Sequence, residues 1–259
     1  GDQLSRALPS LTDLDLDKDL GLMAEVMAEV TYVKHHKRKI AYLFSAMRHF
    51  AKSLGDDGIA VRYRRLDDPD NTGSLAGEVA NAIAVFGPDR IVITAPGEYR
   101  LADEMAGWQA HFGLPVEIRD DTRFLCSLDD FAEWAEGRKS LRMEFFYRDL
   151  RRRYQVLMEG DEPIGGKWNY DADNRQPPKA GLAVPPPSSF APDAITAEVL
   201  ALVEMRCADH FGQLAGFDFA VTRDQALDVL DQFIAERLPL FGTYQDAMIE
   251  GEPWMYHSH

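Results

Sequence analysis

Leu20-Gly-Leu-Met-Ala-Glu-Val26, Ile59-Ala-Val-Arg-Tyr-Arg64, Arg90-Ile-Val-Ile-Thr94 and Val116-Glu-Ile118 are short apolar runs spread between Leu20 and Arg119. Runs of this length bounded by polar segments read as strands. Between them, Ile40, Leu43, Phe44, Met47, Phe50, Ala51 and Leu54 recur at helical spacing, as do Leu75, Val79, Ala82, Ile83 and Phe86, and then Leu101, Met105, Trp108 and Phe112. Each stripe is read as the helix face packed on a sheet, with no cofactor role. Strand and helix alternating in this way predict an α/β fold with a Rossmann-like parallel sheet.

Working outward, Leu128 to Glu136 reads as a short helix, and a longer one carries Met143, Phe146, Tyr147, Leu150, Tyr154 and Leu157 on one face with Arg148, Arg151 and Arg152 opposite. Residues 159–194 hold seven of the 14 prolines and four glycines, so this stretch is a connector. Lys167-Trp-Asn-Tyr-Asp-Ala-Asp-Asn-Arg175 in its middle, with two aromatic rings, predicts an ordered one. Ile195, Val199, Leu202 and Val203 mark a further helix, and Leu227, Leu230 and Ile234 another, N-capped by Thr222. The expected organisation is an α/β domain at 1–125, a helical extension at 126–158, the connector at 159–194, and the start of an all-α domain at 195–259. Gly1-Asp-Gln-Leu-Ser5 reads as the loop after a strand that is missing, and the chain as a fragment cut at both ends.

The chain has 259 residues, 46% hydrophobic and 27% charged, which is globular composition. Its net charge of −15 predicts no bulk attraction to nucleic acid or anionic membrane, so any phosphate-facing surface must be a local patch. Cys126 and Cys207 are too few for a disulfide framework or for the thiolates of an iron–sulfur cluster, and fit a reducing cytoplasm. No run approaches the roughly 18 apolar residues of a membrane span, and no signal peptide is visible. Membrane partners are not expected, and a monomer is.

Candidate chemistry is sparse. Gly1-Asp-Gln3 would sit at the sheet edge where α/β folds bind ligands, and serves equally as a solvated turn. Glu29 and Tyr32 lie in a loop followed by the basic run Lys34-His-His-Lys-Arg-Lys39, either a binding loop or a solvated helix start. His35 and His36 diverge by about 100° on a helix, a poor arrangement for sharing a metal. Asp68, Asp70, Thr72 and Gly73 imitate half a calcium loop, but its twelfth position is Val79, and Asp13, Asp15 and Asp17 fail likewise. No metal site is expected. Arg138 and Lys139 with Arg142, Arg148, Arg151, Arg152 and Arg153 form the densest basic region. This is either a phosphate-binding face, with Trp168 and Tyr170 available to stack on an unpaired base, or a set of arginines paired to carboxylates. There is no Gly-x-Gly-x-x-Gly and no Walker A sequence, which argues against a nucleotide-hydrolysing enzyme. Phe241-Gly-Thr-Tyr-Gln-Asp-Ala-Met248 and Met255-Tyr-His-Ser258 read by themselves as a helix end beside a terminus.

Several strings together resemble the photolyase-related branch of the cryptochrome/photolyase family, the bacterial iron–sulfur cryptochromes and (6-4) photolyases. They are Gly1-Asp-Gln-Leu-Ser5, Glu25-Val-Met-Ala-Glu29, Tyr32-Val-Lys-His-His-Lys-Arg-Lys-Ile40, Phe44-Ser-Ala-Met-Arg-His-Phe50, Pro96-Gly-Glu98 and Arg123-Phe-Leu125. Gly137-Arg-Lys-Ser140, Met143-Glu-Phe-Phe-Tyr-Arg148, Gly165-Gly-Lys-Trp-Asn-Tyr-Asp171, Asn174-Arg-Gln-Pro177 and Phe241-Gly-Thr-Tyr-Gln-Asp-Ala-Met248 continue them in family order.

The resemblance implies that the α/β domain is an antenna domain holding 6,7-dimethyl-8-ribityllumazine. It also implies a C-terminal helical domain holding FAD and a 4Fe-4S cluster. In such proteins light energy passes to reduced flavin, whose electron splits a (6-4) photoproduct flipped out of damaged DNA; some members are photoreceptors instead. Carried over by position, Gly1, Asp2, Gln3, Glu29, Tyr32 and His35 would line the lumazine site. Tyr244, Gln245, Asp246, Met248, His257 and Ser258 would border the flavin. Arg138, Lys139, Arg151, Trp168, Asp171 and Arg175 would face DNA. The pattern departs at His259, where an apolar residue is expected, and neither cysteine matches the cluster ligands. This chain alone is therefore expected to hold at most the lumazine, and an α/β module that binds a small heterocycle without catalysis is the alternative.

Overall fold

The computed structural model describes residues 3–179 and 181–257. They fall into two units by contact: one runs up to Asp121 and resumes over Ser189–Leu227, and the other takes Thr122–Ser188 and Asp228 onward.

In the first unit the apolar runs form the expected strands, trimmed to their paired cores: β1 (Gly21–Ala24), β2 (Val61–Arg64), β3 (Ile91–Thr94) and β4 (Val116–Arg119). They pair in parallel, β1 with β2 from Gly21↔Val61 to Ala24↔Arg64, and β3 with β4 from Ile91↔Val116 to Thr94↔Arg119. The fold is thus mixed α/β with short parallel strand pairs followed by helices. Parallel pairing needs a crossover between strands. Helices α1 (Met27–Thr31) and α2 (Lys37–Asp56) lead from β1 to β2, α3 (Leu75–Phe86) from β2 to β3, and α4 (Tyr99–Ala106) with α5 (Trp108–Phe112) from β3 to β4. The last stripe of the sequence is therefore two helices, divided at Gly107.

Helix starts follow local chemistry. His36 Nδ1 accepts from Arg38 N at 3.0 Å and Ser74 Oγ from Gly77 N at 3.1 Å, so each supplies a partner to an otherwise unbonded first-turn amide. The core lies where α2 meets α8 (Ala194–Arg206): Ile40, Ala41, Phe44 and Met47 pack with Val199, Leu202, Val203 and Cys207, closed by Phe217 and Val221. Residues 195 onward begin the helical domain in the sequence analysis; by contact Ser189–Leu227 group with the strands. The physical reason is that the apolar face of α2 and the valines of α8 bury each other.

Two ionic clusters lie inside this unit. Glu25, fully buried, accepts from Arg48 Nε at 2.7 Å and Nη2 at 3.0 Å, from the Tyr63 hydroxyl at 2.7 Å and from Leu66 N at 3.0 Å. Glu78 accepts from Thr72 N at 2.6 Å, Thr72 Oγ1 at 2.8 Å and Arg64 Nε at 2.9 Å. Burial pushes the Glu78 carboxyl up, but the two Thr72 bonds and Arg64 outweigh it and hold it below its ordinary value of 4.5. A carboxyl depressed on folding stabilises above its unfolded pKa and loses that contribution as pH falls. Glu78→Gln is therefore expected to cost about 1–3 kcal/mol at neutral pH. Urea midpoints of wild type and variant should converge as pH drops toward about 3.

The second unit contains α6 (Leu128–Ala135), α7 (Met143–Tyr154), the antiparallel pair β5 (Met158–Glu159) and β6 (Glu162–Pro163), and α10 (Leu238–Phe241). The hairpin falls at the start of the expected connector. Ser127 and Asp130 make a reciprocal capping box on α6. Helix α9 (Arg223–Gln232) carries the division between the units, and Thr222 Oγ1 accepts from Gln225 N at 3.2 Å as its expected cap. Five π-helical residues, Phe233–Arg237, follow it. Buried Arg237 donates to the carbonyls of Pro185 (2.8 Å), Pro186 (2.7 Å) and Met255 (3.1 Å), tying the connector to the C-terminal segment.

Candidate functional site

Loops leaving the carboxyl ends of parallel strands are where α/β folds bind ligands. Here the segment after β1 carries Glu29, Tyr32 and His35, and the segment after β3 carries Glu98 and Arg100. Arg100 gathers them. Its Nη1 and Nη2 donate to the two oxygens of Glu29 at 3.0 and 2.6 Å, its Nε donates to Glu98 at 2.9 Å, and its guanidinium lies 4.5 Å from the centre of the Tyr32 ring. The hydrogen bonds to Glu29 and Glu98 raise the guanidinium pKa further, so it is a fixed cation. Tyr32 meets the His35 ring edge-on at 5.2 Å, and Gln3 Nε2 donates to the carbonyl of Ala95 at 2.8 Å. Gln3, Glu29, Tyr32 and His35 are thus all placed at loops after β1 or β3; Gly1 and Asp2 lie outside the described residues. Arg100 was missed by the sequence reading, whose only signal for it was the neighbouring Pro96-Gly-Glu98 string.

The state of His35 follows from its neighbours. Partial burial, then the Lys39 cation and His210, lower its pKa against the opposing pull of Glu29 and Glu98. Lys39 Nζ lies 3.2 Å from His35 Nδ1, and an ammonium can only donate, so Nδ1 accepts and the ring proton sits on Nε2. His35 is then a neutral donor. The loop after α8 holds this segment in place: Lys34 pairs with Asp209 at 2.7 Å, His210 Nδ1 lies 2.9 Å from the His35 carbonyl, and Lys37 N donates to Phe211 O at 2.9 Å. Gly212, at φ +88°, lies so close under the His36 ring that a Cβ would meet it at 2.1 Å. An aromatic face, two carboxylates, a guanidinium and an imidazole N–H are the groups that recognise a polar heterocycle.

The basic region belongs to the second unit, and the pairing of arginines with carboxylates holds for part of it. Arg148 pairs with Glu144, Arg152 with Asp149 at 3.3 Å, Arg153 with Asp130 at 2.9 Å and Arg138 with Asp149 at 3.8 Å. Arg151 is buried and donates to the carbonyls of Val156 and Leu157. Lys139 and Arg142 are exposed and make no ion pair among the described residues. Four of the seven cations, Arg138, Arg148, Arg152 and Arg153, therefore share Glu144, Asp149 and Asp130. Arg138 lies over Trp134 at 4.3 Å, and Trp168 is ringed by Arg148, Arg151 and Arg152. Asp171 N donates to Asn169 Oδ1 at 2.7 Å, a local turn.

Set against known proteins, residues 1–219 match the family described as Deoxyribodipyrimidine photo-lyase-related protein. The chain belongs to this family. It is 51% identical over 258 residues, 100% of its own length, to the (6-4) photolyase of Agrobacterium fabrum (strain C58 / ATCC 33970), and covers 51% of that protein. The chain thus spans about half the length of that relative. It is also 26% identical over 149 residues to an uncharacterized protein of Acanthamoeba polyphaga mimivirus, covering 56% of this chain and 74% of that one.

In this photolyase-related chain the residues expected to border a flavin are placed variously. Tyr244 is buried, stacked at 5.8 Å on Tyr256, whose hydroxyl donates to Ala183 O at 2.7 Å. Asp246 is exposed and paired with Arg175 at 2.8 Å, Gln245 is half-buried, and Met248 and His257 face solvent. Ser258 lies outside the described residues. The cysteines do not fit an iron–sulfur cluster: Cys207 is buried in the first unit's core with its thiol pKa pushed up by burial, and Cys126 belongs to the second unit. No group of three or more metal-ligating side chains exists among the described residues. Over the described residues, no helix is long and apolar enough to cross a membrane.

Proposed function

We propose that this chain is part of a blue-light-dependent flavoprotein that repairs (6-4) photoproducts in DNA, its α/β unit holding 6,7-dimethyl-8-ribityllumazine as an antenna. The observation that carries the reading is the gathering of Glu29, Glu98 and Tyr32 around Arg100, with His35 beside them, at the carboxyl edge of a parallel-stranded unit. A ribityllumazine has ring carbonyls and nitrogens, sugar-alcohol hydroxyls and a flat face. Tyr32 offers an aromatic surface, Glu29 accepts from hydroxyls, and His35 Nε2 and Gln3 donate. Bound there, the lumazine would supply light absorption.

The flavin reading rests on the likeness to a (6-4) photolyase, with Tyr244, Gln245, Asp246, Met248, His257 and Ser258 as this chain's share of the border. Damaged DNA is the partner, met by Arg138, Lys139, Arg151, Trp168, Asp171 and Arg175. The reading goes with a cytoplasmic monomer, and two unpaired cysteines suit that compartment. The 4Fe-4S cluster belongs to the same reading, but the two cysteines of this chain cannot supply its ligands.

The test is to add the free lumazine to the protein and follow fluorescence polarisation, then to assay lesion repair by the full-length protein under blue light. Saturable binding with repair is expected. No lumazine binding overturns the antenna role, and binding without repair makes the protein a photoreceptor.

A further inference from the structure

We propose that Trp168 is a positioning residue for DNA-backbone binding: its indole gathers the guanidinium groups of Arg148, Arg151 and Arg152 into one phosphate-binding platform. The proposal rests on the reading of the basic region as DNA-facing. It changes the role of Trp168 from a surface on which a base stacks to an organiser of cations.

Spacings of three and four residues place these arginines on one side of α7, where like charges repel. The structure nevertheless holds their guanidinium carbons 5.3, 5.3 and 4.7 Å from the centre of the Trp168 ring. Carboxylates do not account for this. Asp149 is shared among Arg152, Arg138 and the Trp134 indole N–H, and only Glu144 serves Arg148, whose Nε is buried without a partner among the described residues. Arg151 is fixed from behind by the carbonyls of Val156 and Leu157.

The negative face of the indole offsets part of the repulsion among the three cations. Attraction to a π face uses none of the N–H donors, and guanidinium donors match phosphate oxygens in pairs. The arrangement thus concentrates charge and leaves free those donors of Arg148 and Arg152 that Glu144 and Asp149 do not take, with Arg151 adding its charge from behind, on a protein whose net charge of −15 otherwise repels DNA. The same guanidiniums cover the ring that a base would need.

The test measures the affinity of the full chain for a fluorescein-labelled duplex across a salt series, for wild type, Trp168→Phe, Trp168→Leu, Arg152→Gln and the Trp168→Leu/Arg152→Gln pair. Trp168→Leu is expected to raise Kd about three- to tenfold and to lessen the slope of log Kd against log salt by about one. Trp168→Phe, which keeps a π face, should lie between it and wild type. Arg152→Gln should cost less in the Trp168→Leu background than in wild type, because the organiser is already gone. Wild-type Kd and slope in Trp168→Leu, or equal Arg152→Gln costs in both backgrounds, overturn the proposal while leaving the DNA reading intact. Absence of salt-dependent binding by wild type removes the DNA reading and this proposal together. If thermal melting shows Trp168→Leu to be unfolded, the same cycle with Trp168→Phe decides.

Discussion

Glu25→Ala should destabilise the first unit by about 3 kcal/mol, because it removes the bidentate partner of the Arg48 guanidinium and leaves it only Glu198, at 3.6 Å from Nη1 and half-exposed. Glu25 is fully buried and the Arg48 side chain only 6% exposed, so water cannot replace the lost carboxylate. Burial opposes the Arg48 charge, and its bonds to Glu25 more than restore it. Burial and the Glu25 charge both push the Tyr63 pKa up, so Tyr63 stays a phenol and donates. The double replacement Glu25→Met with Arg48→Met should cost less than Glu25→Ala alone, since no charge is left unpaired. Urea denaturation of the three proteins checks this; a Glu25→Ala variant within about 1 kcal/mol of wild type contradicts it.

Arg100→Ala should separate binding from stability. The Arg100 side chain is 38% exposed, and exposed ion pairs contribute at most about 1 kcal/mol, so the melting behaviour should barely move. Lumazine binding should weaken roughly ten- to hundredfold, the equivalent of one charge-assisted hydrogen-bond arrangement, as Glu29 and Tyr32 lose what orders them. Arg100→Lys should rescue little, because an ammonium cannot serve both Glu29 oxygens and Glu98 from a planar fork. Fluorescence titration beside thermal melting reads both quantities. Unchanged lumazine affinity in Arg100→Ala would remove Arg100 from the site.

The strands were legible because Ile91-Val-Ile-Thr94 and its counterparts are dictated locally, and so was the cap at Thr222, whose hydroxyl needs only its own helix. Partner choice was not. The valines of α8 and the apolar face of α2 each announce that they will be buried, but nothing in either stretch names the other. Glu29, Tyr32 and His35 came from motif likeness. Arg100 was hidden because its helix was read through Leu101 and Met105, the apolar face, while the contacts to Glu29 and Tyr32 depend on where separate loops end in space. Competition between carboxylate and indole for the α7 arginines is likewise settled by tertiary geometry.

The interruption of the first unit governs its synthesis. A ribosome delivers β1 to β4 long before Val199, Val203 and Phe217 emerge, and the whole of Thr122–Ser188 comes between. Through that interval Phe44 and Met47 have no lid, and closing the core then means joining segments far apart along the chain, the slow kind of folding step. A nascent chain of this protein therefore carries an uncovered greasy helix for much of its translation, which is a natural point for chaperone capture.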